Sequence, residues 1–229
     1  MAQSDSTYPL QSVSDVLARS NRSSRLTAAV SGIAFLFSAF SMWETSLKTP
    51  ELKLYAVDNI SYLRDPWGSY EVVVVPLTIV NSGARDGAVV SVELEVNNPA
   101  TGRRERFQAA YTADASYFGA ADDVSKRVRR PKLPFAPLSV AGRSAYTGTI
   151  LFYGPEPKEA REVRMLEPQT KVEMTLRLVV PDADGWLDRM LGTPPQPVAL
   201  KADVPGYLPG AVLSGDMARL KLTAVTPPK

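Results

Sequence analysis

Cysteine and histidine are both absent from the 229 residues of this chain. Without them the protein has no thiolate nucleophile, no disulfide and no imidazole base. Zinc, copper and haem sites built on these two residue types are excluded as well. The sequence therefore predicts no cofactor, and any enzyme would depend on carboxylates, Ser–Lys pairs or tyrosine.

Sequence motifs for such an enzyme are also missing. The chain has no Ser-x-x-Lys motif at a helix start, no phosphate-binding glycine loop and no dinucleotide fingerprint. Adjacent carboxylates such as Asp122 and Asp123 lie in a polar stretch that offers nothing to adapt one of them to acid catalysis. We predict that the protein is not an enzyme, and a carboxylate-based hydrolase is the most distant alternative.

An excess of charge of one sign is lacking too, since 26 Lys and Arg residues face 24 Asp and Glu residues. No overall field draws the chain to nucleic acid or to anionic lipid. We expect no nucleic-acid partner, and any site for an anion must be local.

One long hydrophobic run stands near the N-terminus. Leu26 to Trp43 are 18 residues without charge or proline, and as a helix they are about 27 Å long, close to the ~30 Å hydrocarbon core of a bilayer. With Leu47 making up the difference, we predict a transmembrane helix over 26–47.

The charges on either side of this helix predict its direction. Arg19, Arg22 and Arg25 precede the apolar run 26–43, whereas the residues just after that run, Glu44, Lys48, Glu51 and Lys53, mix both signs. The positive-inside rule then places the N-terminus in the cytoplasm. The expected location is the inner (plasma) membrane, crossed once.

Three segments follow from this interpretation: a cytoplasmic tail over 1–25, the helix over 26–47, and an exported domain over 48–229 that is periplasmic or extracellular. Two alternatives remain open. A signal peptide cleaved after Ser41 is one, and a buried helix of a soluble domain is the other.

Small residues on the helix have the spacing that lets a second helix approach closely. They form two pairs four residues apart, Ala28 with Gly32 and Ala34 with Ser38. The alternative is that such residues are common in any membrane helix.

After Pro50 the pattern changes to short alternating segments separated by Gly, Pro, Asn and Asp, which is typical of an all-β domain. Pro76 predicts an edge position or a bulge, and we expect a hairpin between the second and third strands. The predicted strands are 52–57, 70–80, 89–96, 103–111, 134–140, 144–153, 171–180, 197–203 and 217–225.

Three stretches carry a resemblance: Val80-Asn81-Ser82-Gly83, VSVELEV after it, and PLSVAGRSAYTGTILF later. Over 51–180 they resemble the immunoglobulin-like sandwiches of bacterial surface and envelope proteins, including CARDB-type modules. The resemblance implies an antiparallel β-sandwich that binds, spaces or scaffolds, and it brings no site residue with it. The predicted fold class is therefore mainly β, an immunoglobulin-like sandwich preceded by one transmembrane helix.

Two inserts, 112–133 and 181–197, interrupt the strands and are the expected places for local function. The first ends in a cationic patch that could grip phosphate or carboxylate groups of a partner. A solvated loop neutralised by its own aspartates is the alternative. The patch consists of Lys126, Arg127, Arg129, Arg130 and Lys132.

The second insert holds an apolar group made of Trp186, Leu187, Met190 and Leu191. Exposed, these side chains would anchor a protein partner; the alternative is a short helix that buries them against the domain.

The same insert contains Asp182, Asp184 and Asp188, which match only part of a calcium loop because the further acidic ligands are missing. We predict no metal site.

Together these features predict a non-enzymatic, membrane-anchored interaction or assembly subunit of an envelope membrane protein complex. The expected partners are the lipid bilayer and other membrane protein subunits, whereas the oligomeric state is left open. The alternative is a membrane-tethered binding module for a soluble or cell-wall ligand.

Overall fold

The computed structural model describes residues 11–64, 70–113, 133–156, 165–167, 169–182, 186–204 and 218–224. The chain divides into two compact units, Met1–Lys48 and Thr49–Lys229.

The first unit is built on one long helix, α1 (Gln11–Met42). A π-helical turn over Trp43–Leu47 ends it, and the backbone N–H of Lys48 donates to the carbonyl of Trp43 at 2.9 Å. The segment Ser24–Leu47 is long and apolar enough to cross a membrane. The predicted apolar helix is confirmed, and it begins well before residue 26 because the polar residues ahead of it are helical too.

The second unit consists of strands and one short helix, α2 (Trp186–Leu191). The strands are β1 (Leu52–Ala56), β2 (Asn59–Arg64), β3 (Glu71–Asn81), β4 (Gly87–Val89), β5 (Ser91–Asn98), β6 (Arg103–Ala113), β7 (Leu133–Pro134), β8 (Leu138–Val140), β9 (Ser144–Tyr153), β10 (Lys171–Val179), β11 (Val198–Asp203) and β12 (Ala218–Ala224).

The main sheet closes on itself. Antiparallel pairing runs β3–β2–β12–β11–β10–β5–β6–β9 and returns to β3, which makes a closed barrel of eight strands. The predicted mainly β class is confirmed, but the two-sheet immunoglobulin-like arrangement is corrected. The reason is β9, which pairs with both β3 and β6 and so joins edges that a sandwich leaves apart.

Strand β3 is paired along both edges. β9 covers one edge completely, whereas β2 and then β1 share the other. Pro76 lies at the junction between β2 and β1, where the N–H of Val57 reaches the Pro76 carbonyl at 3.5 Å. The missing donor of Pro76 therefore falls at a gap in the ladder, and the predicted edge position is wrong.

The predicted hairpin between 70–80 and 89–96 is also wrong. Strand β5 pairs with β6 and β10 rather than with β3. Between them the chain turns aside, because β4 pairs with β8 in a separate two-stranded sheet.

Apolar side chains fill the barrel, as the narrow bore of eight strands allows. Alternation in β10 is as predicted, with Val172, Met174 and Leu176 buried and Lys171 exposed. The largest fully buried side chains are Tyr62, Phe107, Phe152, Ile60, Leu77, Ile79, Leu94, Ile150, Leu151, Leu166, Met174 and Leu176.

One end of the barrel, the Glu71 end, is closed by a buried carboxylate at the start of β3. Glu71 accepts hydrogen bonds from the hydroxyl of Tyr62 at 2.8 Å and from the N–H groups of Met165 and Leu166 at 3.0 and 3.2 Å. Asn98 donates to the Met165 carbonyl at 2.9 Å. These bonds hold the buried Met165 and Leu166 side chains across the end of the barrel.

Candidate functional site

The opposite end of the barrel, the Asn81 end, is organised by the last residue of β3. The buried amide of Asn81 accepts from the N–H groups of Glu51 at 3.2 Å and Gly83 at 3.0 Å. It donates to the carbonyls of Arg85 at 2.8 Å and Val140 at 3.0 Å. One side chain thus ties together the start of β1, the loop after β3 and the end of β8, with all four of its hydrogen bonds made.

The loop after β3 lies so close to its neighbours that two positions admit only glycine. A Cβ on Gly83 would stand 2.1 Å from the carbonyl oxygen of Thr49, and a Cβ on Gly142 would stand 2.0 Å from that of Ala84. The side chain of Asp86, in the same loop, links it to the segment around Gly142, because its carboxylate accepts a hydrogen bond from the N–H of Gly142 at 3.0 Å. The loop is therefore packed tightly against Thr49 and against the segment around Gly142.

A groove of about 580 Å³ opens at this end. That volume is within the range of small-ligand sites, roughly 300–1,000 Å³. Two cations, Arg85 and Arg189, and two carboxylates, Asp86 and Asp182, line it together with apolar wall residues. The prolines in the wall are Pro50, Pro181, Pro194 and Pro195.

The short helix α2 borders the groove. The hydroxyl of Thr49 contacts the carbonyl of Leu191 at 3.5 Å. Met190 is 72% exposed and Leu191 40%, so the burial alternative is wrong for these two side chains. The side chains of Trp186 and Leu187 lie outside the described residues.

Glu51 and Lys53 form an ion pair at the start of β1, near the Asn81 end of the barrel. Lys53 Nζ donates to Glu51 Oε1 at 2.8 Å. This hydrogen bond, followed by the attraction of the carboxylate charge, raises the pKa of the Lys53 ammonium from its ordinary 10.5. Because Lys53 is solvent-exposed, the pair contributes little to stability.

The small residues of α1 form two separate pairs on the helix surface. At about 100° per residue, the Ala34–Ser38 pair lies roughly 120° around the helix from the Ala28–Gly32 pair. All four residues are exposed, and a Cβ added to Gly32 would meet nothing within 4 Å. Helix pairing through them stays a prediction.

The other predicted sites fall mostly outside the described residues. The cationic patch formed by Lys126, Arg127, Arg129, Arg130 and Lys132 lies entirely in 114–132, which is not described. Asp182 lines the groove, whereas Asp184 belongs to a gap. Within the described ranges, no three carboxylates come close enough to hold a metal ion.

Sequence reasoning missed the two buried polar side chains that organise the ends of the barrel. Asn81 stood in the quoted Val-Asn-Ser-Gly stretch, and an Asn followed by Gly two residues later is a turn signal. Glu71 stands next to an apolar run, Val72 to Val75, which could have marked it as a carboxylate drawn into the core.

Comparison with known proteins gives no relative for this chain, since neither a protein-family model nor a curated protein matches it. The resemblance to CARDB-type modules therefore stays a prediction about sequence pattern.

Proposed function

We propose that the chain is a non-enzymatic, membrane-anchored interaction subunit, in which one helix holds the barrel at a membrane and the barrel contacts other membrane proteins. The observation that carries this proposal is the exposure of α1. Within residues 24–42 of this helix, the part whose side chains are described, the large apolar side chains are all more than half exposed, among them Leu26, Phe35 and Phe37.

Exposed apolar surface on this scale needs a non-aqueous environment. Each large apolar side chain gains about 1.5–3 kcal/mol when it leaves water, and Ser24–Leu47 presents such side chains on every face of the helix. A bilayer satisfies all faces at once, whereas a single protein groove covers one. This favours a retained span.

The proposed direction follows from the charges. Arg19, Arg22 and Arg25 would stay in the cytoplasm, and the barrel would be exported to the periplasmic or extracellular side. A tethered barrel is confined to a thin layer beside the bilayer, so weak contacts with other membrane proteins become effective.

The anchor is tested with one reporter and two tags. A reporter enzyme active only outside the cytoplasm, fused after Lys229, should be active. An N-terminal tag and a C-terminal tag should stay on one polypeptide that resists alkaline extraction from membranes. A C-terminal fragment that begins after Ser41 and is released by alkali would show a cleaved signal peptide and overturn the anchor.

The interaction role is tested by purification in mild detergent, where other membrane proteins should accompany the tagged chain in fixed proportion. Charge reversal at Arg127, Arg129 and Arg130 should weaken that association. Reversal of Lys171, an exposed cation at the Glu71 end, is the control and should leave it unchanged. Equal association for both variants would exclude the cationic patch from the interface.

The groove favours a second candidate function, a tethered module that binds a soluble or cell-wall ligand. Its charges of both signs suit a ligand that carries both signs as well. Replacing Thr193 in the groove wall with Trp should then abolish binding of cell-wall fragments to the detergent-purified chain, whereas Thr223→Trp on the barrel exterior should not. Unchanged binding by Thr193→Trp would exclude the groove.

A further inference from the structure

We propose that α2 lies on the bilayer surface as a second membrane contact, in addition to the span of α1. This inference rests on the proposed function, because it requires the helix over Ser24–Leu47 to stay in the membrane. The contact would fix which side of the barrel faces lipid.

The composition and exposure of α2 fit an interfacial helix. Met190 and Leu191 are consecutive, large and exposed, at 72% and 40%. The same six residues include Trp186, Leu187 and Arg189. Tryptophan and arginine are favoured at membrane interfaces, where an apolar body meets lipid and a polar group meets headgroups.

Covalent geometry brings α2 close to the lipid. The hydroxyl of Thr49 contacts the Leu191 carbonyl at 3.5 Å. Thr49 follows Leu47, the last residue of the apolar segment, by two residues, so their Cα atoms are at most about 7 Å apart. By chain length and this contact alone, the Cα atom of Leu191 can lie no farther than about 15 Å from that of Leu47.

This limit keeps α2 within reach of the membrane interface. The headgroup region adds about 5–7 Å to each side of the hydrocarbon core, and interfacial helices bury their apolar face about 5–10 Å into it. Among the possible occupants of the exposed face of α2, the bilayer is the one that the two-residue connection already keeps nearby. This is the reason to name the bilayer as the occupant.

The absence of cysteine from the chain makes a depth measurement clean. Full-length protein carrying a nitroxide at Met190→Cys is placed in nanodiscs of phosphatidylcholine with a minority of phosphatidylglycerol. Collision with an aqueous nickel chelate should be roughly threefold lower than for a label at Lys171→Cys, as expected for a side chain in the interface, and collision with oxygen should be higher. Lys171 is 85% exposed at the other end of the barrel.

A third label, at Leu36→Cys in α1, separates the two proposals. If this label is in lipid while the Met190 label is as accessible to nickel as the Lys171 label, the second contact is overturned and the anchor stands. If the Leu36 label is in water, both proposals fail. A Met190 label shielded from both reagents would show a protein cover and also overturn the inference.

A second variant checks that the apolar side chain is the cause. Met190→Asp, measured with a label at Leu191→Cys, should return the label to water because a carboxylate is unfavourable at that depth. Retained burial of the Leu191 label in this variant would count against the proposal.

Discussion

The two ends of β3 hold the barrel by different means. At the Glu71 end a buried carboxylate only accepts hydrogen bonds, and the segment that donates them, Met165 and Leu166, closes the barrel. At the Asn81 end a neutral amide donates and accepts equally, and the segments that it joins leave a groove open beside them. The same barrel thus has one end closed by a hydrogen-bonded segment and one end with an open groove.

Loss of the carboxylate at the Glu71 end should have the largest effect. Glu71→Ala removes the carboxylate that accepts hydrogen bonds from the Tyr62 hydroxyl and from the N–H groups of Met165 and Leu166, and each buried donor that stays unsatisfied costs about 1–3 kcal/mol. We expect the free energy of unfolding to fall by about 4 kcal/mol, measured by urea unfolding of the full-length chain in detergent. The exposed Glu156→Ala is the control, and equal losses for the two variants would show that the carboxylate does not close the barrel.

A charge at the Asn81 end should have the next largest effect. In Asn81→Asp a carboxylate oxygen replaces the amide nitrogen that donates to the carbonyls of Arg85 and Val140. Repulsion and the burial of a charge should lower the free energy of unfolding by roughly 3 kcal/mol. The same change at the exposed Asn59 should have little effect, within about 0.5 kcal/mol. A tolerated Asp at position 81 would mean that the two ends do not differ in the way described.

Steric crowding at the Asn81 end should have a smaller effect. Gly83→Ala forces the new methyl group against the Thr49 carbonyl, so we expect a loss of roughly 2 kcal/mol. Gly102, in the turn between β5 and β6, has a φ of +69° and open space around it. Gly102→Ala should therefore lose only about 1 kcal/mol, from backbone strain. A reversed order in urea unfolding would contradict the tight packing assigned to Gly83.

The ion pair near the groove should have the smallest effect. Lys53→Met removes the pair with Glu51 without exposing any buried group. Since the folded state raises the pKa of Lys53, any stabilisation is present at neutral pH and is lost as the pH rises above 10.5. We expect the urea midpoints of wild type and variant to agree within error at pH 7, and a clear difference would show that the Asn81 end depends on charge.

Local pattern was enough to predict most elements of this fold. The strand predicted over 144–153 coincides with β9, and those over 171–180 and 197–203 differ from β10 and β11 by one residue. Alternation reports which side of a strand faces the core, and that information is local. β2 was missed because only Val57 and Asp58 separate it from β1, and both strands then share one edge of β3.

Closure could not be predicted in the same way. It depends on β9 pairing with both β3 and β6, and nothing in the alternation of β9 says how many partners it has. The groove was beyond sequence reasoning for a related reason, since its wall joins residues near 50, 86, 181 and 193. The exposure of Met190 was one of two open alternatives, because an apolar residue in a short helix has no pattern that decides between core and surface.

The pairing of β2 with β12 limits how early in folding the barrel can close. Residues 59–62 pair with residues 218–221, so the barrel cannot close before a strand about 160 residues further along the chain has been made. Contacts this distant in sequence form slowly. Until β12 has been made, β2 and β11 each have an unpaired edge, and unpaired strand edges of this kind are prone to aggregation.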